Sequence, residues 1–203
     1  MRLQTRRPRY SFSSMRVKLR LEFDAEPAGL EIPEGGESGG YVDLRENPSA
    51  IEQIEPARLH RPLRGLLVAL NSAESVFASV ACRTWAKEEP GSAEASEFGS
   101  RVDVIFSGQK HNFERSTYVS LAEGLRELLE RESGADTLAA EVSVLRCAYQ
   151  GSRSQGYALR LILMGRGETP AQAELRWGLG VAHLQQALLF LSRAVRQQQA
   201  RAN

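Results

Sequence analysis

A chain of 203 residues, 42% hydrophobic and 25% charged, has the balance of one globular domain with a real core, and its net charge of +1 selects no class of partner. Its longest uninterrupted apolar runs, 66–70 and 187–191, are far too short to cross a membrane. Two cysteines, Cys82 and Cys147, make no disulfide framework and show no metal-ligand spacing, which points to a reduced, cytoplasmic protein.

The charge is unevenly spread. Residues 1–20 carry seven basic residues and no acid, whereas residues 21–57 carry ten acids against Arg45. Such blocks form solvated tails or loops, or pair with each other. Arginine supplies 23 of the 26 basic residues, and guanidinium forks suit phosphate and carboxylate partners better than lysine does. A GC-rich genome gives the same bias without a function. Residues 1–14 read as a dispensable, disordered basic leader, with Met15 as an alternative start. Arg6-Arg7 does not open a twin-arginine signal, because Arg16, Lys18 and Arg20 interrupt the apolar region that would have to follow.

The first clear element is a strand over 15–23. Met15, Val17, Leu19, Leu21 and Phe23 alternate with Arg16, Lys18, Arg20, Glu22 and Asp24, the period of two that gives one apolar and one charged face. Its cations Arg16, Lys18 and Arg20 serve either as a solvated sheet face or as an anion-binding one. Residues 25–56 read as a long acidic loop punctuated by proline and glycine, with a short strand at 41–44. Leucines at 59, 63, 66, 67 and 70 have helical spacing, and Pro62 fits only in a first turn, so a helix is expected over 62–70.

Residues 75–87 alternate two fairly apolar faces and read as a central strand. A second acidic loop over 88–100 then leads to a strand over 101–107. The loop 108–115 gathers Lys110, His111, Asn112, Phe113 and Arg115. An aromatic among basic groups stacks on a base or grips an anion; the plainer alternative is a surface loop with one anchoring phenylalanine. The most legible helix spans 116 or 117 to 133, with Tyr118, Leu121, Leu125, Leu128 and Leu129 on one stripe and Glu123, Arg126, Glu127, Glu130 and Arg131 on the other.

Residues 138–150 and 157–164 read as a hairpin. After the cluster Gly165-Arg-Gly-Glu-Thr-Pro170, a short strand is expected at 173–177, and Gly178 and Gly180 release the chain into a last helix over 181–199. Val181, Leu184, Leu188, Leu191 and Val195 form the seam of that helix. Leu189 and Phe190 fall outside it, with His183 beside Phe190.

The expected class is α+β, a mainly antiparallel sheet packed with two or three helices, in a single domain from 15 to 203. From Pro62 the order is helix, two strands, helix, two or three strands, helix. That order resembles the roadblock and longin folds and lies close to a profilin-like one; secretion-chaperone folds alternate elements similarly. The likeness is of element order alone and assigns no residue a role.

The inventory for catalysis is thin. His60, His111 and His183 are far apart in sequence, the acids lie in loops or on an exposed helix face, and both cysteines sit within strands, where they behave as small hydrophobes. No catalytic residue, metal site or cofactor is assigned. The expectation is a non-catalytic protein-interaction or self-associating module, a homo-oligomer using Leu189, Phe190 and His183 on the last helix. A nucleic-acid-associated protein using Arg16, Lys18, Arg20, Lys110, Phe113 and Arg115 is the second reading, and a small enzyme with an assembled Cys–His site the third.

Overall fold

The computed structural model of the chain describes residues 15–23, 28–32, 42–88, 91, 94–132, 138–149 and 155–202. The expected leader and much of the acidic loop lie outside them. The elements are β1 (Arg16–Glu22), β2 (Ala28–Ile32), α1 (Glu55–Leu59), α2 (Arg61–Leu70), β3 (Phe77–Glu88), β4 (Ser96–Phe106), α3 (Arg115–Glu132), β5 (Leu138–Tyr149), β6 (Gln155–Gly167) and α4 (Pro170–Ala202). Short 3-10 turns occupy Pro48–Gln53 and Gln109–Phe113. The class is α+β. The described strands form one mixed sheet in the order β1-β5-β6-β4-β3, with β2 also pairing β5. The pairs among β3, β4, β5 and β6 are antiparallel, and β1 and β2 run parallel to β5.

Alternation along the strands sorts the two faces. Val102, Val104 and Phe106 of β4, Leu138, Ala140, Val142 and Val144 of β5, and Leu159, Leu161 and Leu163 of β6 join one buried cluster with residues of α2, α3 and α4. The long helices therefore lie together on one side of the sheet. α4 runs between its neighbours, packing its Gly178 toward Pro62 of α2 and its Leu191 toward Gly124 of α3. A smaller cluster of Ala78, Ile105, Cys147, Tyr149 and Ala158 occupies one end of the opposite face, under Val80 and Phe113.

Several expectations change. Residues 173–177 are not a strand but the second turn of α4, which spans 33 residues. Its start is set by Thr169, whose hydroxyl accepts from Gln172 N (3.3 Å) and whose carbonyl accepts from Ala173 N (3.0 Å), followed by Pro170 at the first helical position. Gly178 and Gly180 sit inside this helix. A Cβ on Gly178 would stand 3.2 Å from Pro62 Cγ, and one on Gly180 3.2 Å from Leu138 Cδ2, so close packing offsets the ~1 kcal/mol that glycine costs a helix.

β3 pairs β4 alone and ends the strand order, so it is an edge strand rather than a central one. Its two apolar faces arise because Phe77 joins the main core while Ala78 and Val80 belong to the smaller cluster. The edge is closed at its start: Arg45 Nη1 donates to the carbonyls of Ser72, Ser75 and Phe77 at 3.0–3.1 Å, and Asn71 Oδ1 accepts from Ser79 N at 3.2 Å. A bulge between Ser79 and Ala81 then bends the strand. Within 25–56 the described residues hold β2, a turn at Leu44–Glu46, the 3-10 turn and the start of α1, and residues 42–44 form no strand. The acidic stretch 88–100 is shorter as a loop than expected, because Ser96 already belongs to β4.

Candidate functional site

The outward side of α4 carries the clearest exposed apolar feature. Leu175, Leu179 and Phe190 are 67%, 54% and 60% exposed. At 100° per residue Leu175 and Leu179 fall within 40° of each other, with Ala182, Gln186 and Arg193 in the same arc and Phe190 at its border toward α3. Beside them a groove of ≈ 520 Å³ runs along α3 and α4, with Leu128, Ala187, Leu189 and Phe190 as its apolar part and Arg131 and Arg193 as cations.

Of the three interface candidates, Phe190 is open and Leu189 half-buried. The sheet does not cover Leu189; α2 does in part, through Leu66, Ala69 and Leu70. His183 is half-buried, and its Nδ1 is buried without a hydrogen-bond partner. Leu175 and Leu179 join this surface because α4 begins at Pro170, eleven residues before the helix start that the apolar seam alone implies.

The opposite face of the sheet carries a second feature. Arg16, Lys18 and Arg20 of β1 stand beside Ala139, Glu141 and Ser143 of β5, and Arg20 Nε lies 3.1 Å from Glu141 Oε2. Further across, Asp103 of β4 is fully buried and gripped by two arginines. Arg160 of β6 donates Nε to Oδ1 (2.8 Å) and Nη2 to Oδ2 (3.1 Å), and Arg101 Nη2 lies 3.0 Å from Oδ2. Arg83 of β3 stands opposite Arg101, its guanidinium 5.7 Å from the Trp85 ring. The signal available in the sequence was the spacing of Arg101 and Asp103 at i and i+2, which puts both on one strand face.

The six anion candidates do not gather into one surface. Arg115 lies on the helix side, its guanidinium 3.7 Å from the ring of Phe23, which packs against the main core. Phe113 stacks on Tyr149 at 5.2 Å, in the role of an anchoring phenylalanine. Tyr149 is eight residues along β5 from Glu141, the partner of Lys18, so roughly 26 Å separates the two places. Lys110 is exposed in the 3-10 turn.

Burial pushes the Cys147 thiol up to about 12 and the Cys82 thiol up to about 11, so both hold their protons at neutral pH. Cys82 lines a ≈ 300 Å³ cavity with Val42, Ile54, Leu67 and Ser79. His60 Nδ1 meets Glu174 Oε1 at 2.9 Å, and the ring packs edge-on against Phe98 and Trp177. His111 packs on Phe106 and meets Glu114 and Gln199. Bonds from Thr117 and then His111 hold the Glu114 carboxyl below the usual carboxylate range. No group of three or more metal-ligating side chains is placed to hold an ion among the described residues, and no helix there is long and apolar enough to cross a membrane.

The chain matches no protein-family model, no curated protein and no solved structure.

Proposed function

We propose that the protein is a non-catalytic interaction module that assembles with a second copy of itself through the outward side of α4. The observation that carries this reading is the presence of Leu175, Leu179 and Phe190, each more than half exposed, along one helix. A single exposed leucine is ordinary, whereas several large apolar groups along one surface mark contacts. Aromatic side chains such as Phe190 are favoured anchors.

The pattern is self-complementary. In an antiparallel pair of α4 helices crossing near residue 184, Leu179 of one copy lies against Phe190 of the other, and Ala182 against Gln186. The small Ala182 at the crossing lets the helices approach closely. Leu179 and Phe190 are eleven residues apart, about 16 Å along the axis, so the twofold match buries Leu179 and Phe190 of both copies. Such an isologous contact closes on itself as a dimer.

A double variant, Leu179→Cys with Phe190→Cys, tests the geometry. Under mild oxidation it should form a disulfide-linked dimer, and neither single variant should do so to the same extent. A double variant that cross-links no better than the singles would remove this arrangement. The native cysteines do not confuse the result, because Cys147 is buried and Cys82 half-buried.

A further inference from the structure

On the face of the sheet opposite α4 we infer a binding site for one phosphate-type oxyanion, formed by Arg83 and Arg101 over a base of Asp103 and Arg160. This inference is independent of how α4 assembles. Asp103 is fully buried and already takes three contacts from Arg101 and Arg160. It neutralises one cation of the two that grip it. Arg83 adds a third guanidinium directly opposite Arg101, and like charges in opposed positions on paired strands repel.

Other carboxylates on this face are engaged. Glu97 meets Arg166 at 3.2 Å, and Glu141 meets Arg20 at 3.1 Å. The cluster is thus left with three guanidinium groups around one acid, and Arg101 Nε is buried with no hydrogen-bond partner. Arg101 keeps 23% of its side chain exposed and Arg160 22%. Arg83 is exposed. An anion can therefore approach from solvent, meeting Arg101, already held by Asp103, and the exposed Arg83 beside the Trp85 ring.

Phosphate chemistry suits this arrangement. Two guanidinium forks on neighbouring strands, about 5 Å apart at Cβ, donate to different oxygens of a tetrahedral dianion, and arginine is the side chain best shaped for such forks. Arg160, held bidentate by Asp103, keeps the acid from turning toward the incoming anion. The source of the phosphate group, whether inorganic phosphate, a small phosphomonoester or a nucleic-acid backbone, differs only in what is attached to that oxyanion.

Calorimetric titration of the full chain at constant ionic strength separates these sources, with inorganic phosphate, glycerol phosphate and a short single-stranded oligonucleotide as probes. One saturable phosphate site per chain is expected, shared by glycerol phosphate and weakened about tenfold by Arg83→Gln, the effect of losing one charge-assisted bond. Arg58→Gln, an exposed change on α1, should leave it unaltered. Both variants must melt like the wild type. Absence of saturable phosphate binding, or equal weakening by the two variants, would overturn the site. So would tight oligonucleotide binding with a salt slope of several phosphates and no one-to-one phosphate binding, which describes a diffuse polyanion surface.

Discussion

Trp177 donates its indole Nε1–H to Ser100 Oγ at 2.9 Å, and the two residues are 0% and 1% exposed. The bond joins α4 to β4 beneath the centre of the domain, where the indole also packs against Phe98 and His60. Ser100→Ala would leave the indole donor buried and unpaired, so the fold should lose about 1–3 kcal/mol. Urea melts of the variant against wild type measure it, and a change within about 0.3 kcal/mol would mean that water replaces the hydroxyl.

That contact also explains what could and could not be read from the residues alone. The alternation of β1, the one-sided stripe of α3 and the hairpin of β5 and β6 are local patterns, and they survive folding because one face of each meets the same core. The helical identity of 173–177 is not local. Its short alternation of Ala173, Leu175 and Trp177 with Glu174 and Arg176 suggests a strand until Thr169 and Pro170 are weighed as a cap, and until Trp177 is seen to fill the space above Ser100. The position of β3 at the edge depends on pairings far apart in the chain. The Asp103 cluster draws on strands whose residues lie 57 positions apart, so spacing shows the Arg101–Asp103 pair but not the third partner.

Gly165 provides a sharper test of the α4 placement. A Cβ there would stand 2.3 Å from Trp177 N and 2.4 Å from Ala173 O, both backbone atoms of the helix. Gly165→Ala should cost at least about 1–3 kcal/mol, because the strand and helix must part. Gly108→Ala meets nothing within 4 Å and should stay within about 0.5 kcal/mol. Equal melting midpoints for the two variants would contradict the close strand–helix approach.

The middle helix gives a second pair. Leu125 is fully buried in the main cluster, so Leu125→Ala should cost roughly 2–5 kcal/mol. Glu130, paired with Arg126 at 2.8 Å near the surface, should lose no more than about 0.5 kcal/mol on change to alanine. Chemical denaturation of both variants checks the assigned face.

Alkali should weaken the fold through its thiols. An unfolded cysteine loses its proton near pH 8.5, whereas Cys147 in the folded chain holds it up to about 12. Stability from this group is therefore complete below about pH 8.5 and falls as the pH rises toward the folded value, by about 1–2 kcal/mol between pH 8 and 10. Cys147→Ala should lower the stability at pH 8 yet flatten the decline to pH 10. An unchanged slope in urea melts would show that Cys147 does not contribute to it.

The measurement that bears most directly on self-association through α4 is native mass by light scattering, for wild type and for the variant carrying Leu179→Ser and Phe190→Ser. Both residues are exposed in the single chain, so the variant should stay folded and lose no more stability than dissociation itself removes. The wild type should show twice the 22.5 kDa chain mass at micromolar concentration, and the variant one chain mass. A monomeric wild type, or a dimer that persists unchanged in the folded variant, would contradict the assignment of this helix as the interface.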